Sequence, residues 1–119
     1  MDREDLKRKV DLAFLSAFYG GMLTEKQRQI VSLHCEEDLS FAEIAEEVGI
    51  SRQAVHESLS RAASRMIGME ASLGMAKRFH RMEEGLEAAL EALKSKDYPR
   101  AEQLLTELLA LDQEENNGI

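Results

Sequence analysis

Between Ser51 and Arg65 a run of polar side chains recurs at helical spacing: Ser51, Arg52, Gln53, His56, Glu57, Ser60, Arg61 and Arg65. On the leading turns of a helix such residues suit hydrogen bonding to base edges. A glutamine amide offers adenine a donor and an acceptor together, and an arginine fork matches guanine or a phosphate. Arg61 and Arg65, farther along, would lie near the sugar-phosphate backbone, and Lys26 and Arg28 on a preceding helix would add phosphate contacts. Lys77, Arg78, His80 and Arg81 form a dense basic cluster, which reads either as a solvated helix face or as a phosphate-contacting patch. Other chemistry finds no support. His34, Cys35, His56 and His80 lack ligand spacing, so neither a metal nor a cofactor is expected. A P-loop, GxSxG, HExxH and CxxC pairs are absent, and no serine or cysteine has an identifiable base, so an enzyme is not expected.

Those polar residues need a scaffold, and the apolar pattern supplies helices for it. Strict apolar/polar alternation never persists for six residues, so strands are not expected. A first helix is predicted over 3–19, with Leu6, Val10, Ala13, Phe14 and Ala17 as the stripe that packs inward. Leu12, Leu15, Phe18 and Tyr19 broaden that stripe beyond what one flat contact needs, which fits a helix packed inside its own domain first and one that covers a second subunit as the alternative. Thr24 with Gln27 is a capping box opening a helix over 25–35, and Ser40 with Glu43 opens another through Val48. Gly49 permits a left-handed turn, and Ser51 is the N-cap of the next helix. Ile44, Ala45, Val48, Ile50, Val55 and Leu59 then face one another across a helix-turn-helix, with Ala54, Val55 and Leu59 inward. Beyond Met66 the pattern through Gly68 and Gly74 fits one kinked helix or two. Met66, Met69, Met75 and Met82 at helical spacing suit a core better than an adaptable binding surface. Leu86, Ala89, Leu90 and Leu93, then Ala101, Leu104, Leu105, Leu108 and Leu111 after Asp97-Tyr98-Pro99, predict an αα-hairpin. Locally it looks like one tetratricopeptide unit, but arrays of that kind need about three. The polar segment 112–119 is expected to fray.

Composition sets limits on this reading. The 119 residues include 15 basic and 23 acidic side chains, for a formal charge of −8. No apolar run is long enough for a membrane span. The charged start, Met1-Asp2-Arg3-Glu4-Asp5, predicts no signal peptide. With Cys35 as the single cysteine, the expected location is the reducing cytoplasm. Between Glu36 and Met69 three arginines stand against seven acids. Duplex binding depends on neutralising phosphates, so such a module should bind weakly and lose affinity quickly with salt.

The stretch Leu23-Thr24-Glu25-Lys26-Gln27-Arg28, followed by 38–55 with its "EIAEE" and "SRQAV", resembles the region-4 helix-turn-helix of sigma-70-type transcription factors. It is more similar still to the small bacterial YlxM-type family, over about 12–66. The resemblance implies an all-helical, dimeric DNA-binding or regulatory protein. It also implies a tie to the signal recognition particle pathway, because genes of that family lie beside those for the particle's GTPase and receptor. By the same analogy Arg52, Gln53 and His56 are the candidate contacts, with histidine at 56 where the family pattern leads one to expect tyrosine.

The resulting expectation is an all-α protein with a helix-turn-helix domain over 1–68 and a C-terminal helical extension over 69–119, the latter a dimerisation or partner surface. Expected partners are duplex DNA or signal recognition particle RNA, the particle's GTPase and a second copy of the chain, with no membrane. The competing reading is a protein-interaction adaptor that keeps the helix-turn-helix shape without binding nucleic acid.

Overall fold

The structure, a computed structural model, describes the backbone of residues 3–117 and the side chains of 8–111 and 113. Within these residues the chain is helical and has no strand: α1 (Arg3–Tyr19), a 3-10 turn (Gly20–Met22), α2 (Glu25–Cys35), α3 (Phe41–Val48), α4 (Arg52–Leu73), α5 (Met75–Lys94) and α6 (Tyr98–Asn117). It divides into two compact units, one up to Ala76 and one from Lys77 onward.

The first unit is built around large side chains. Tyr19, Ile30, Ile44, Val55 and Met66 are sealed from solvent, with Leu23, Val31, Leu33, Leu59 and Ala62 around them. The burial of Met66, with Met69 packed half-buried against the same cluster, gives those methionines a core role. Helix α1 presents this core with a different face from the one expected. Leu12, Leu15, Phe18 and Tyr19 pack inward, whereas Val10 and Phe14 are 58% and 42% exposed and Ala13 and Ala17 also face outward. The reason lies in the amphipathic geometry: a helix apolar on two sides buries the face carrying its largest side chains, here two leucines and two aromatics. Leu6 lies outside the described side chains. An ion pair between Lys9 and Asp38 ties α1 to the connector before α3.

Gly68 continues the helical path, and α4 ends instead at Gly74, whose φ of +62° places it in the left-handed region that suits a residue without Cβ. The junction that follows is held by hydrogen bonds. Buried Tyr19 donates its hydroxyl to Glu70 Oε1 at 2.7 Å and accepts from the Met75 N–H at 3.1 Å. The same carboxylate oxygen accepts from the Ala76 N–H at 2.9 Å. Two N–H groups at the start of α5, which would otherwise lack partners, are satisfied this way. Burial, and then the bond to Glu70, raises the Tyr19 hydroxyl above its ordinary pKa of 10.0.

The second unit is an αα-hairpin. Its connection, 95–97, includes Lys96 at φ +60°, and Asp97 caps α6 by accepting from the Arg100 N–H at 3.3 Å. Pro99 stands in the first turn, where its missing N–H costs least. The buried side chains along the hairpin are small, Ala89, Ala92 and Ala101, with Leu108 the one large member. Helix α6 runs on to Asn117 rather than fraying from 112, consistent with the good helix formers Gln113, Glu114 and Glu115 in that stretch. Residues 118 and 119 lie outside the described part.

Candidate nucleic-acid interface

Two short-range devices fix the recognition geometry. Ser40 accepts from the Glu43 N–H at 3.1 Å while Glu43 accepts from the Ser40 N–H at 3.0 Å, closing the capping box that starts α3. The Ser40 N–H, and after it the Ser40 hydroxyl, hydrogen-bond the Glu43 carboxyl and hold it below its ordinary pKa. Gly49, at φ +79°, ends α3 in the left-handed conformation, and the Gly49 and Ile50 N–H groups both donate to the Ala45 carbonyl. Ser51 then caps α4 by accepting from the Ala54 N–H at 3.0 Å. Ile44, Ala45, Val55 and Leu59 are buried between the two helices, so the direction in which α4 presents its outer face is set by packing.

On that outer face Ser51, Arg52, Gln53, His56, Glu57, Ser60, Arg61 and Arg65 are all exposed. Successive helix positions turn by about 100°. Gln53, His56, Glu57 and Ser60 therefore fall within one arc of about 100°, with His56 at its edge nearest Leu59 and Arg61 and Arg65 along the other flank. Three of these residues are already engaged. Gln53 Nε2 donates to Glu57 Oε1 at 3.4 Å, which sets a carboxylate among the groups that would read bases. His56 meets Phe41 edge to face at 5.7 Å between ring centroids, and Phe41 meets His34 at 5.4 Å.

This aromatic series lines a cleft of about 640 Å³ between α1 and α4, with Leu12, Leu15, Leu59 and Ile67 among its apolar walls. The His34 Nδ1 atom is buried and has no hydrogen-bond partner among the described residues, and burial lowers the pKa of that ring from 6.5. Sequence reasoning missed the series. Phe41 and His56 are fifteen positions apart, and no local pattern announces a contact made by the angle between helices.

The expected phosphate-contacting residues fall into separate groups. Lys26 and Arg28 are exposed on α2. Arg28 lines a different cleft, with Ala13, Ala17, Val31 and Cys35, rather than the one reached by His56 and Ser60. Lys77, Arg78 and Arg81 are on α5 in the second unit. At about 100° per residue they fall within one arc of about 100° and share a face, while His80, off that arc, pairs with Glu84 at 3.0 Å. Cys35 is half-buried, and burial raises its thiol pKa, which makes it a poor nucleophile at neutral pH. Among the described residues no group of three or more His, Cys, Asp or Glu is placed to hold a metal ion, and no helix is long and apolar enough to cross a membrane.

Comparison with known proteins agrees with the architecture. Residues 6–110 match the family model described as "UPF0122: Putative helix-turn-helix protein, YlxM / p13 like". A UPF0122 protein of Clostridium botulinum is 36% identical over 91 residues, covering 76% of this chain and 84% of its own. One from Halalkalibacterium halodurans is 35% identical over 107 residues, covering 90% and 96%. One from Symbiobacterium thermophilum is 38% identical over 99 residues, covering 83% and 92%. The resemblance read from the "EIAEE" and "SRQAV" stretches and the all-helical fold thus point the same way, and the chain belongs to the UPF0122 family of YlxM-like helix-turn-helix proteins.

Proposed function

We propose that this protein is a non-catalytic, cytoplasmic regulator that binds nucleic acid, duplex DNA or signal recognition particle RNA, through the leading turns of α4. The observation carrying this reading is the capped, packed α4, which buries Val55 and Leu59 and leaves Arg52, Gln53, His56 and Ser60 exposed. Arg52 and Gln53 read base edges, and Arg61, Arg65, Lys26 and Arg28 meet phosphates, with Lys77, Arg78 and Arg81 as a further basic group. The link to the signal recognition particle, and to its GTPase as a protein partner, rests on the family resemblance. A sigma region-4-like mode of docking rests on the same ground. The outward face of α1, Val10 and Phe14, supports a homodimer, which sedimentation equilibrium at micromolar concentration tests: a clean monomer refutes it.

Fluorescence anisotropy with labelled duplex DNA and with signal recognition particle RNA, across a salt series, tests the main reading. Saturable binding with a measurable slope against log salt is expected. Arg52→Ala/Gln53→Ala weakens it at least about tenfold, as loss of base contacts requires, without loss of helicity. Arg61→Ala/Arg65→Ala lowers the salt slope by roughly two.

The adaptor reading has one specific observation in its favour, the Glu57 carboxylate lying within the reading face and holding the Gln53 amide. Flat anisotropy with both nucleic acids at low salt moves the assignment to that adaptor. A pull-down against the particle's GTPase is then the deciding experiment.

A further inference from the structure

Helices α5 and α6 each carry a second apolar stripe beside the seam that joins them. The seam consists of Ala89, Ala92 and Ala101, with Leu108 packed against Gly85. Small residues bring the two backbones close, and the bulky side chains next to the seam are left outside it. Leu86, Leu90 and Leu93 on α5 and Tyr98, Leu105 and Leu109 on α6 are 40–68% exposed. On each helix this stripe lies roughly a quarter turn from the seam, in the same rotational sense. In an antiparallel pair, equal rotations away from the seam bring both stripes to one side of the hairpin. The result is an open, two-helix apolar face of the kind that receives an amphipathic helix.

Charge selects the occupant. Glu83, Glu87 and Glu102 are exposed and stand three or seven positions from stripe leucines, so they edge this same face, with Lys94 as the one base beside them. Between 83 and 109 the chain carries seven acids and three bases. A second copy of the hairpin docking on this face would set like carboxylates against one another across a desolvated contact. A helix with leucine-type residues at i, i+3 or i+4, and i+7, flanked by lysine or arginine, satisfies both the stripe and its acidic edge. We propose that this face docks a basic amphipathic helix of a protein partner. The site is independent of the nucleic-acid reading, and Arg52→Ala/Gln53→Ala leaves it intact.

The test uses the full chain and a synthetic amphipathic peptide of about 20 residues, long enough to hold a helix. One version places leucine on one face and lysine on the other, and a counterpart has glutamate in place of lysine. Anisotropy is expected to show saturable binding of the lysine peptide, with the glutamate peptide at least about tenfold weaker, as charge selection requires. Leu90→Glu/Leu109→Glu, at exposed positions, should keep its circular dichroism yet lose at least about tenfold in affinity for the lysine peptide. That variant is more acidic than the native chain, so unspecific charge attraction would strengthen its binding instead. Equal binding of the two peptides, binding of neither, or unimpaired binding by the double variant overturns the proposal. So does a native dimer in sedimentation equilibrium that Leu90→Glu/Leu109→Glu converts to monomer, because the face is then a seam between copies.

Discussion

In the first unit Tyr19, Ile30, Ile44, Val55 and Met66 are all fully enclosed, whereas the second closes on three alanines and Leu108 and leaves its other large side chains partly or fully in water. The difference concerns where each unit finds its stability. Four helices and a turn surround the first core from several directions, so a side chain such as Ile44 is met on every side. Two helices have a single seam, and any residue a quarter turn away from it has nothing above it. A hairpin of this kind contributes a surface, whereas the helix-turn-helix unit contributes a rigid mount on which the exposed side chains of α4 keep their relative positions.

Paired truncations break that comparison most directly. Ile44→Ala removes a fully buried side chain and is expected to cost about 2–5 kcal/mol, and Leu109→Ala, at 68% exposure, about 0.5 kcal/mol or less. Chemical denaturation of both variants measures the two values, and comparable losses would show that the hairpin has a core of its own after all. A somewhat smaller effect is expected at the seam. A Cβ built on Gly85 falls within contact distance of the Leu108 side chain, so Gly85→Leu forces the helices apart at roughly 1–3 kcal/mol. Hydrogen exchange should then quicken in α6 while α2 and α3 keep their protection. Faster exchange in both units would mean that they unfold together.

Tyr19→Phe sharpens the comparison at the end of the first unit. The variant leaves the ring in place but removes the donor to Glu70 and the acceptor for Met75, at an expected cost of about 1–3 kcal/mol. The pH dependence has a definite sign. The folded pKa of Tyr19 is raised, so its stabilisation is present below about pH 10 and is lost as pH rises through the folded value. Urea midpoints between pH 8 and pH 11 should fall more steeply for the native chain than for Tyr19→Phe. Parallel curves would remove Tyr19 from the account.

How legible this was in the sequence depends on the range of the interaction involved. The capping boxes at Thr24 and Ser40, the turn at Gly49 and the cap at Ser51 are contacts within four residues, so residue type and spacing reveal them. The inward face of α1 was misread because Val10 and Phe14 are as apolar as Leu12 and Leu15, and only the angle at which α1 meets α2 and α4 decides between them. The Tyr19–Glu70 bond spans 51 positions and has no local signature. At the candidate interface the exposed set on α4 follows from helical period alone. The Glu57 hold on Gln53 follows from the same period as an i, i+4 pair, but the edge-to-face contact of His56 with Phe41 does not.

That aromatic series leads to the smallest expected effect. His34 sits at the inner end of the series with Phe41 and His56, beside a cleft, with its Nδ1 buried and without a partner among the described residues. Burial is the main cause that lowers its pKa, with Lys9 acting in the same direction and a hydrogen bond to the Leu39 backbone opposing both. A lowered folded pKa means that the unfolded chain takes up the proton first. The stability present above about pH 6.5 should therefore decline as pH falls through 6.5 toward the folded value. In His34→Phe an aromatic ring is kept beside Phe41 and the titration is removed. Between pH 7.5 and pH 5.5 the melting temperature of the native chain should drop farther than that of the variant, by a few degrees at most for an effect below about 1 kcal/mol. The hairpin lacks this residue, so the protection of α6 against hydrogen exchange, taken relative to the intrinsic rate at each pH, should stay level across the same range while that of α2 and α3 falls. An identical pH slope in both proteins would show that the buried nitrogen has found a partner, most simply a water in the cleft.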